Sequence, residues 1–199
     1  MSFNRILSAV IAFILVLPHV SVALGDTVRW DDHPDGLVHW YEVVPTQLSW
    51  TDAKSDAEAR GGYLVTVTSQ AETDFIVDNL GSAILMCWLG ALQDPAAPGW
   101  HEPDGGWTWI TGETWDYTNW EPRSGEPNNV NGNESNINFH GDPWELGSWC
   151  DVFGDAAHGP GGYVLEKSGQ VPTPSAFIAL IGMGAMGLVA AARRRRREA

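Results

Sequence analysis

Aromatic and β-branched residues crowd the stretch Leu37-Val38-His39-Trp40-Tyr41-Glu42-Val43 and predict a strand. Helical signals follow. Ser49 stands as N-cap, Asp52 falls in the first turn, Ala53, Ala57 and Ala59 favour the helix, and Gly61-Gly62 ends it. Tyr63 to Val67 predicts a second strand. From Ser69 to Leu80 the residues Phe75, Ile76, Asn79 and Leu80 mark one face of a second helix. Ser69 and Glu72 have capping-box spacing there, and Gly81 stops the helix. The apolar run Ile84 to Leu92 predicts a strand centred on Trp88-Leu89-Gly90. Trp107 to Ile110 alternates as a short strand, and Tyr163 to Lys167 closes the pattern. Between Asn119 and Asp155 the periodicity fails, and the chain is polar, rich in Gly, Asn and Pro, and studded with carboxylates. The order predicts an α+β domain with its helices early, its small antiparallel sheets late, and one long loop region. A loop of that length in a compact domain points to function and needs something to hold it.

The two ends carry a different pattern. Arg5, the apolar run Ile6–Leu17 and the small-x-small site Ser21-Val22-Ala23 read as a secretory signal peptide over residues 1–25. The run is shorter than the roughly 20 residues that span a bilayer, which favours cleavage over a retained anchor. At the other end, Val171-Pro172-Thr173-Pro174-Ser175 precedes an apolar, small-residue run from Ala176 to Ala192 and the basic stop Arg193–Arg197. Such a run is about long enough to span, with the arginines on the cytoplasmic side. This tail, residues 171–199, resembles the PEP-CTERM sorting tails of exported bacterial proteins, with Thr173 where that motif has Glu. The resemblance implies a transient membrane anchor, cut by sorting machinery of the exosortase type, and release to the cell surface or the exopolymer matrix. A permanent single-span anchor is the alternative. Residues 26–170 remain as one folded domain.

Composition narrows the function. Hydrophobic residues make up 44% of the 199 residues, enough for a core, and the formal net charge is −14. Five of the 11 basic residues form the terminal arginine run, so the domain itself is more acidic still. That excludes sequence-independent nucleic-acid binding and suits hard cations or neutral ligands. All 11 Trp lie between Trp30 and Trp149. Cys87 and Cys150 are too few for a disulfide framework, which leaves a bound metal as the obvious support for the long loop. The histidines (His19, His33, His39, His101, His140, His158) show no His-x-x-x-His spacing, and no P-loop, Gly-x-Ser-x-Gly or dinucleotide fingerprint appears.

Over residues 37–167 these landmarks resemble the C-type lectin-like domain. Trp50-x-x-Ala53 and Gly61-Gly62-x-Leu64 look like its first helix and exit, and Thr68-Ser69-x-x-Glu72-x-x-Phe75 like its second helix. Cys87-Trp88-Leu89-Gly90 matches the Trp-Ile-Gly-Leu strand, and Trp107-Thr108-Trp109 and Asn119-Trp120 match the pieces before the binding loop. Glu126-Pro127-Asn128 is similar to the sugar-selecting triplet. Gly132-Asn133-Glu134 follows, and Trp149-Cys150-Asp151 stands where Trp-Asn-Asp is expected. Ala57 and Leu165 occupy the places of one usual disulfide, and Ser135 and Asn136 the place of another.

The resemblance implies a Ca2+ site on Glu126, Asn128, Glu134 and Asp151, with two sugar hydroxyls completing the shell. It implies a cis peptide before Pro127, and the Glu-x-Asn order implies mannose- or glucose-like hydroxyl pairs. The chemistry agrees: calcium takes about six to eight oxygens, and crowded carboxylates repel until a cation neutralises them. A solvated acidic loop is the plain alternative. Cys150 removes an oxygen ligand and a donor, and a soft thiol is a poor calcium ligand, so binding weakens or is lost. Water fills the gap, or Cys150 pairs with Cys87 in an oxidising compartment. Trp50, Trp88, Trp107 and Trp149 are expected in the core, while Trp100 and Trp144 lie in loops. The expected protein is an exported, non-enzymatic, calcium-dependent carbohydrate-binding domain whose partner is a glycan or exopolysaccharide. The alternative is a surface protein-interaction or structural module with a degenerate site. A glycoside hydrolase is disfavoured, because the carboxylates match metal ligands.

Overall fold

Two serines start the two helices of this computed structural model, which is described for residues 27–154 and 161–169. Ser49 Oγ accepts the Asp52 N–H at 3.1 Å and opens α1 (Trp50–Ala59). Ser69 Oγ accepts the Glu72 N–H at 3.2 Å and opens α2 (Gln70–Leu80). Each serine satisfies a donor that a helix start leaves free. Gly61 and Gly81 follow the helices at φ 76° and 55°, a region that side chains resist. Glu72 reaches one residue further back than a capping box: its Oε2 takes the N–H and hydroxyl of Thr68, at 2.9 and 3.1 Å. Its Oε1 takes the Tyr41 hydroxyl at 2.9 Å, and with these partners the carboxylate is wholly buried.

The strands are β1 (Val28–Trp30), β2 (Val38–Val44), β3 (Tyr63–Leu64), β4 (Trp88–Gln93), β5 (Trp107–Trp109), β6 (Asn136–Phe139), β7 (Trp149–Val152) and β8 (Tyr163–Gly169). They form one connected sheet in the order β1-β2-β8-β4-β6-β7, with β3 on β8 and β5 on β4. All these pairings are antiparallel except that of β4 with β8. Pairing of β2 with β8, from Val38↔Gly169 to Val44↔Tyr163, joins the two ends of the domain. One core cluster gathers Tyr41, Val67, Ile76, Leu89, Phe139 and Trp149. A second gathers Trp50, Ala53, Ala57, Leu64, Trp88 and Leu165. Ala57 and Leu165 therefore share apolar packing where the resemblance puts a disulfide.

Three expectations are corrected. The apolar run from Ile84 is not all strand: Gly81–Ile84 is a 3-10 turn, Met86 has φ 61°, and β4 begins at Trp88. Both halves contain buried residues, and burial alone gives turn and strand the same apolar reading. The strand expected over Tyr63 to Val67 pairs as a strand only at Tyr63–Leu64. Beyond it, Val65 N–H donates to Val164 O and Val65 O accepts from Gly90 N–H. The long loop contains the hairpin of β6 and β7. Asn136, Asn138 and Asp151 are buried there, and polar residues at inward positions disguise the strands. The strand β1 had no sequence signal of its own.

Trp50, Trp88, Trp107 and Trp149 are buried as expected, whereas Trp100 and Trp144 are exposed. The signal peptide expected at 1–25 and the sorting tail expected at 171–199 lie outside the described residues. Among the described residues no helix is long and apolar enough to cross a membrane.

Candidate functional site

The site loop is anchored on β7. Trp149 N–H donates to Asn119 O at 2.8 Å, and Glu121 N–H donates to Trp149 O at 2.9 Å, so the segment entering the loop lies beside that strand. Glu121 then folds the chain. Its carboxylate accepts the N–H groups of Arg123 and Ser124, each at 2.7 Å, and the Ser124 hydroxyl. Those bonds, led by the Ser124 hydroxyl, hold its pKa down at about 2. Its carbonyl accepts the Glu126 N–H at 3.0 Å. The Glu126–Pro127 peptide is cis, as the resemblance implies.

Asp151 reaches across from β7 and pins the next two residues. Its Oδ1 accepts from Asn128 N–H and its Oδ2 from Asn129 N–H, both at 2.8 Å. Asn128 Nδ2 donates to Glu126 Oε1 at 2.9 Å. Val130 N–H donates to Glu134 Oε2 at 2.6 Å and to Asn128 Oδ1 at 3.1 Å. Glu134 N–H donates to Asn129 Oδ1 at 3.0 Å, and Asn129 Nδ2 to Glu102 Oε2 at 2.7 Å. The four expected residues Glu126, Asn128, Glu134 and Asp151 are thus joined in one hydrogen-bonded loop.

The electrostatics of this loop are unbalanced. Among the described residues no Lys, Arg or His forms an ion pair with Glu126, Glu134 or Asp151. Glu126 Oε2 is buried without a hydrogen-bond partner. Burial, then the neighbouring Asp151 and Glu134, pushes the Glu126 pKa up to about 8. Burial, with the charge of Asp151, also raises that of Glu134. The donors Glu126, Asn128, Glu134 and Asp151 are all hard oxygens, and an orphaned buried carboxylate oxygen lies among them. That set fits calcium. The loop carboxylates are not drawn together as tightly as His33, Asp35 and His39, whose ligand atoms lie within 4.8 Å of one another.

Cys150 does not join the oxygen set. Its thiol donates to Asn138 Oδ1 at 2.8 Å. Burial, then the charges of Glu126, Asp151, Glu134 and Glu121, pushes its pKa up to about 12. Cys87 turns to Gly161 O at 3.1 Å, and both cysteines are free, so the pairing of Cys87 with Cys150 is not formed. Sequence reasoning missed Glu121, Asn129 and Asn138. The turn-forming Asn129-x-Asn131-Gly132, with φ 45° and 60° at its asparagines, was the available signal for Asn129. It also missed His33, Asp35 and His39, because no recognised metal spacing joins them.

Comparison with known proteins adds to this geometry. Residues 46–156 match the family model of the lectin C-type domain. Human C-type lectin domain family 10 member A is 30% identical over 146 residues, which cover 70% of this chain and 39% of that protein. Halomucin of Haloquadratum walsbyi is 31% identical over 161 residues, covering 71% of this chain and 2% of that protein. The chain spans well under half the length of these relatives. Among solved structures, the cow CD23 carbohydrate-recognition domain with GlcNAc2Man3 oligosaccharide has a TM-score of 0.53 at 26% identity, over 67% of this chain and 90% of that one. A calcium-independent type II antifreeze protein has a TM-score of 0.50 at 21% identity, over 65% and 86%.

Proposed function

This chain belongs to the C-type lectin domain family, whose members bind carbohydrate without catalysing a reaction, and from that premise we propose that it is an exported, calcium-dependent lectin. The reading places the ion on Glu126, Asn128, Glu134 and Asp151. The observation that carries it is the buried, partnerless Oε2 of Glu126. A buried carboxylate oxygen without a partner is costly, and a cation removes that cost. When bound, calcium neutralises the carboxylates and offers positions to a pair of neighbouring sugar hydroxyls. Glu126 and Glu134 accept from those hydroxyls, and the Asn128 amide donates to them. Asp151 keeps the loop in register through the two N–H groups it holds. The order Glu126-Pro127-Asn128 supports mannose- or glucose-type glycans, as does the mannose-containing ligand of the cow CD23 domain. Export and a sorting-tail anchor at 171–199 belong to the same proposal and rest on the two terminal sequences.

The test uses the full chain. Calcium is titrated while thermal stability is followed, then mannose-type glycan is added, and both are repeated with Glu126→Gln. A ligand that binds only the folded state raises the melting temperature. The reading expects a calcium-dependent rise that grows with glycan and is lost in the variant. No rise at millimolar calcium overturns it.

A second reading is favoured by Cys150. Its thiol is spent on Asn138, and both Asp151 oxygens already hold backbone N–H groups, so the loop is ordered by protein alone. A surface interaction module without calcium fits that arrangement, and the antifreeze protein is a calcium-independent example of the fold. Partner binding unaffected by chelator or glycan supports it.

A further inference from the structure

A second cluster of ligand-type side chains lies away from the lectin loop, where the chain passes from β1 to β2. The rings of His33 and His39 stack there, with centroids 3.7 Å apart. Asp35 faces both: its Oδ1 lies 2.7 Å from His33 Nδ1 and its Oδ2 lies 2.9 Å from His39 Nε2. One atom from each of the three lies within 4.8 Å of the others. The far nitrogens meet buried carboxylates. His39 Nδ1 is 2.5 Å from Glu166 Oε1, and His33 Nε2 is 3.7 Å from Glu72 Oε2. Glu72 and Glu166 are almost completely buried, and they also accept from neutral donors: Thr68 and Tyr41 for Glu72, Thr66 for Glu166.

We propose that His33, Asp35 and His39 bind one divalent transition-metal ion of the zinc class. Three observations carry this. The donor set is two imidazoles and a carboxylate, which suits zinc and its neighbours and not calcium. The second nitrogen of His39 is hydrogen-bonded to the buried Glu166, the arrangement that orients metal-bound histidines, and that of His33 faces the buried Glu72 at 3.7 Å. The charges also ask for a cation. Three carboxylates face two histidines, and among the described residues Asp35, Glu72 and Glu166 form ion pairs with these histidines alone. His33 Nδ1 lies 2.7 Å from Asp35 Oδ1, the distance of an N–H donating to a carboxylate, and the ion takes the place of that proton. Asp35 is partly exposed, which leaves an approach from solvent and room for a water ligand. The ion ties the turn before β2 to β8 through Glu166 and to α2 through Glu72, in a domain whose two cysteines are unpaired.

The full chain, stripped with a chelator and then saturated with Ca2+ to occupy the lectin loop, is titrated with Zn2+ against a chromophoric competitor. Co2+ is added in parallel and its visible spectrum recorded. One equivalent of Zn2+ and strong Co2+ bands of low coordination number are expected. Asp35→Asn and His33→Gln weaken Zn2+ binding by about tenfold or more, while Glu126→Gln leaves it unchanged. Failure of the wild-type chain to bind Zn2+, or equal binding by a folded Asp35→Asn variant, overturns the proposal. Asp35 is the partly exposed member, so its variant keeps the test open where a buried histidine variant fails to fold.

Discussion

Cys150 and Asn138 stand opposite each other on β7 and β6, and the Cys150 thiol donates to Asn138 Oδ1 at 2.8 Å. The side chain that departs from the lectin motif is therefore satisfied inside the hairpin and stands apart from the proposed calcium ligands of the loop. Cys150→Asn returns an oxygen and an amide donor to that position. The expected outcome is calcium binding about tenfold tighter, roughly 1.4 kcal/mol, by calorimetric titration. Unchanged affinity in a folded variant shows that this position no longer communicates with the ion.

Asp151 holds two backbone N–H groups, so its loss is structural as well as chemical. Asp151→Ala leaves the N–H groups of Asn128 and Asn129 without their acceptor. Bonds to a charged group contribute about 1.5–3 kcal/mol, so denaturant unfolding in chelator shows a loss of about that size or more. Calcium binding disappears in the same variant. A stability loss under about 0.5 kcal/mol contradicts the role assigned to these bonds.

Glu121 sets a pH dependence. Its folded pKa is held at about 2, below the ordinary 4.5, by the Ser124 and Arg123 donors. A depressed carboxylate stabilises the fold above its unfolded pKa, and that contribution fades as pH falls through the folded value. The turn at residues 121–126 is expected to stay closed at neutral pH and to loosen between about pH 4.5 and pH 2. After correction for intrinsic exchange, protection of the Arg123 and Ser124 amides checks this. In Glu121→Gln, protection is weak across the whole range.

Leu165 packs in the same core cluster as Ala57, with apolar contact in place of the covalent bridge that the family resemblance puts there. Leu165→Ala opens a cavity in that cluster and is expected to cost about 2–5 kcal/mol. The check is chemical denaturation of the full chain, followed by tryptophan fluorescence.

Much of the domain was legible in the sequence. Ser49 and Ser69 named the helix starts, Gly61 and Gly81 their ends, and the alternation at Trp107–Trp109 its strand, because caps, glycine turns and side-chain period are local properties of the chain. The order of Glu126, Asn128, Glu134 and Asp151 named the candidate site residues through the family motif they resemble. The hairpin of β6 and β7 was not legible, because Asn136, Asn138 and Asp151 turn inward and find partners only after the sheet forms. Nor was the meeting of His33, Asp35 and His39 with Glu72 and Glu166. Those carboxylates arrive from α2 and β8, and only the pairing of β2 with β8 brings Glu166 to His39. Local signals determine where elements begin and end. Long-range pairing decides which buried charges face one another, since the histidines that meet Glu72 and Glu166 come from distant parts of the chain, and Thr68, the sequence neighbour that bonds Glu72, supplies only neutral donors.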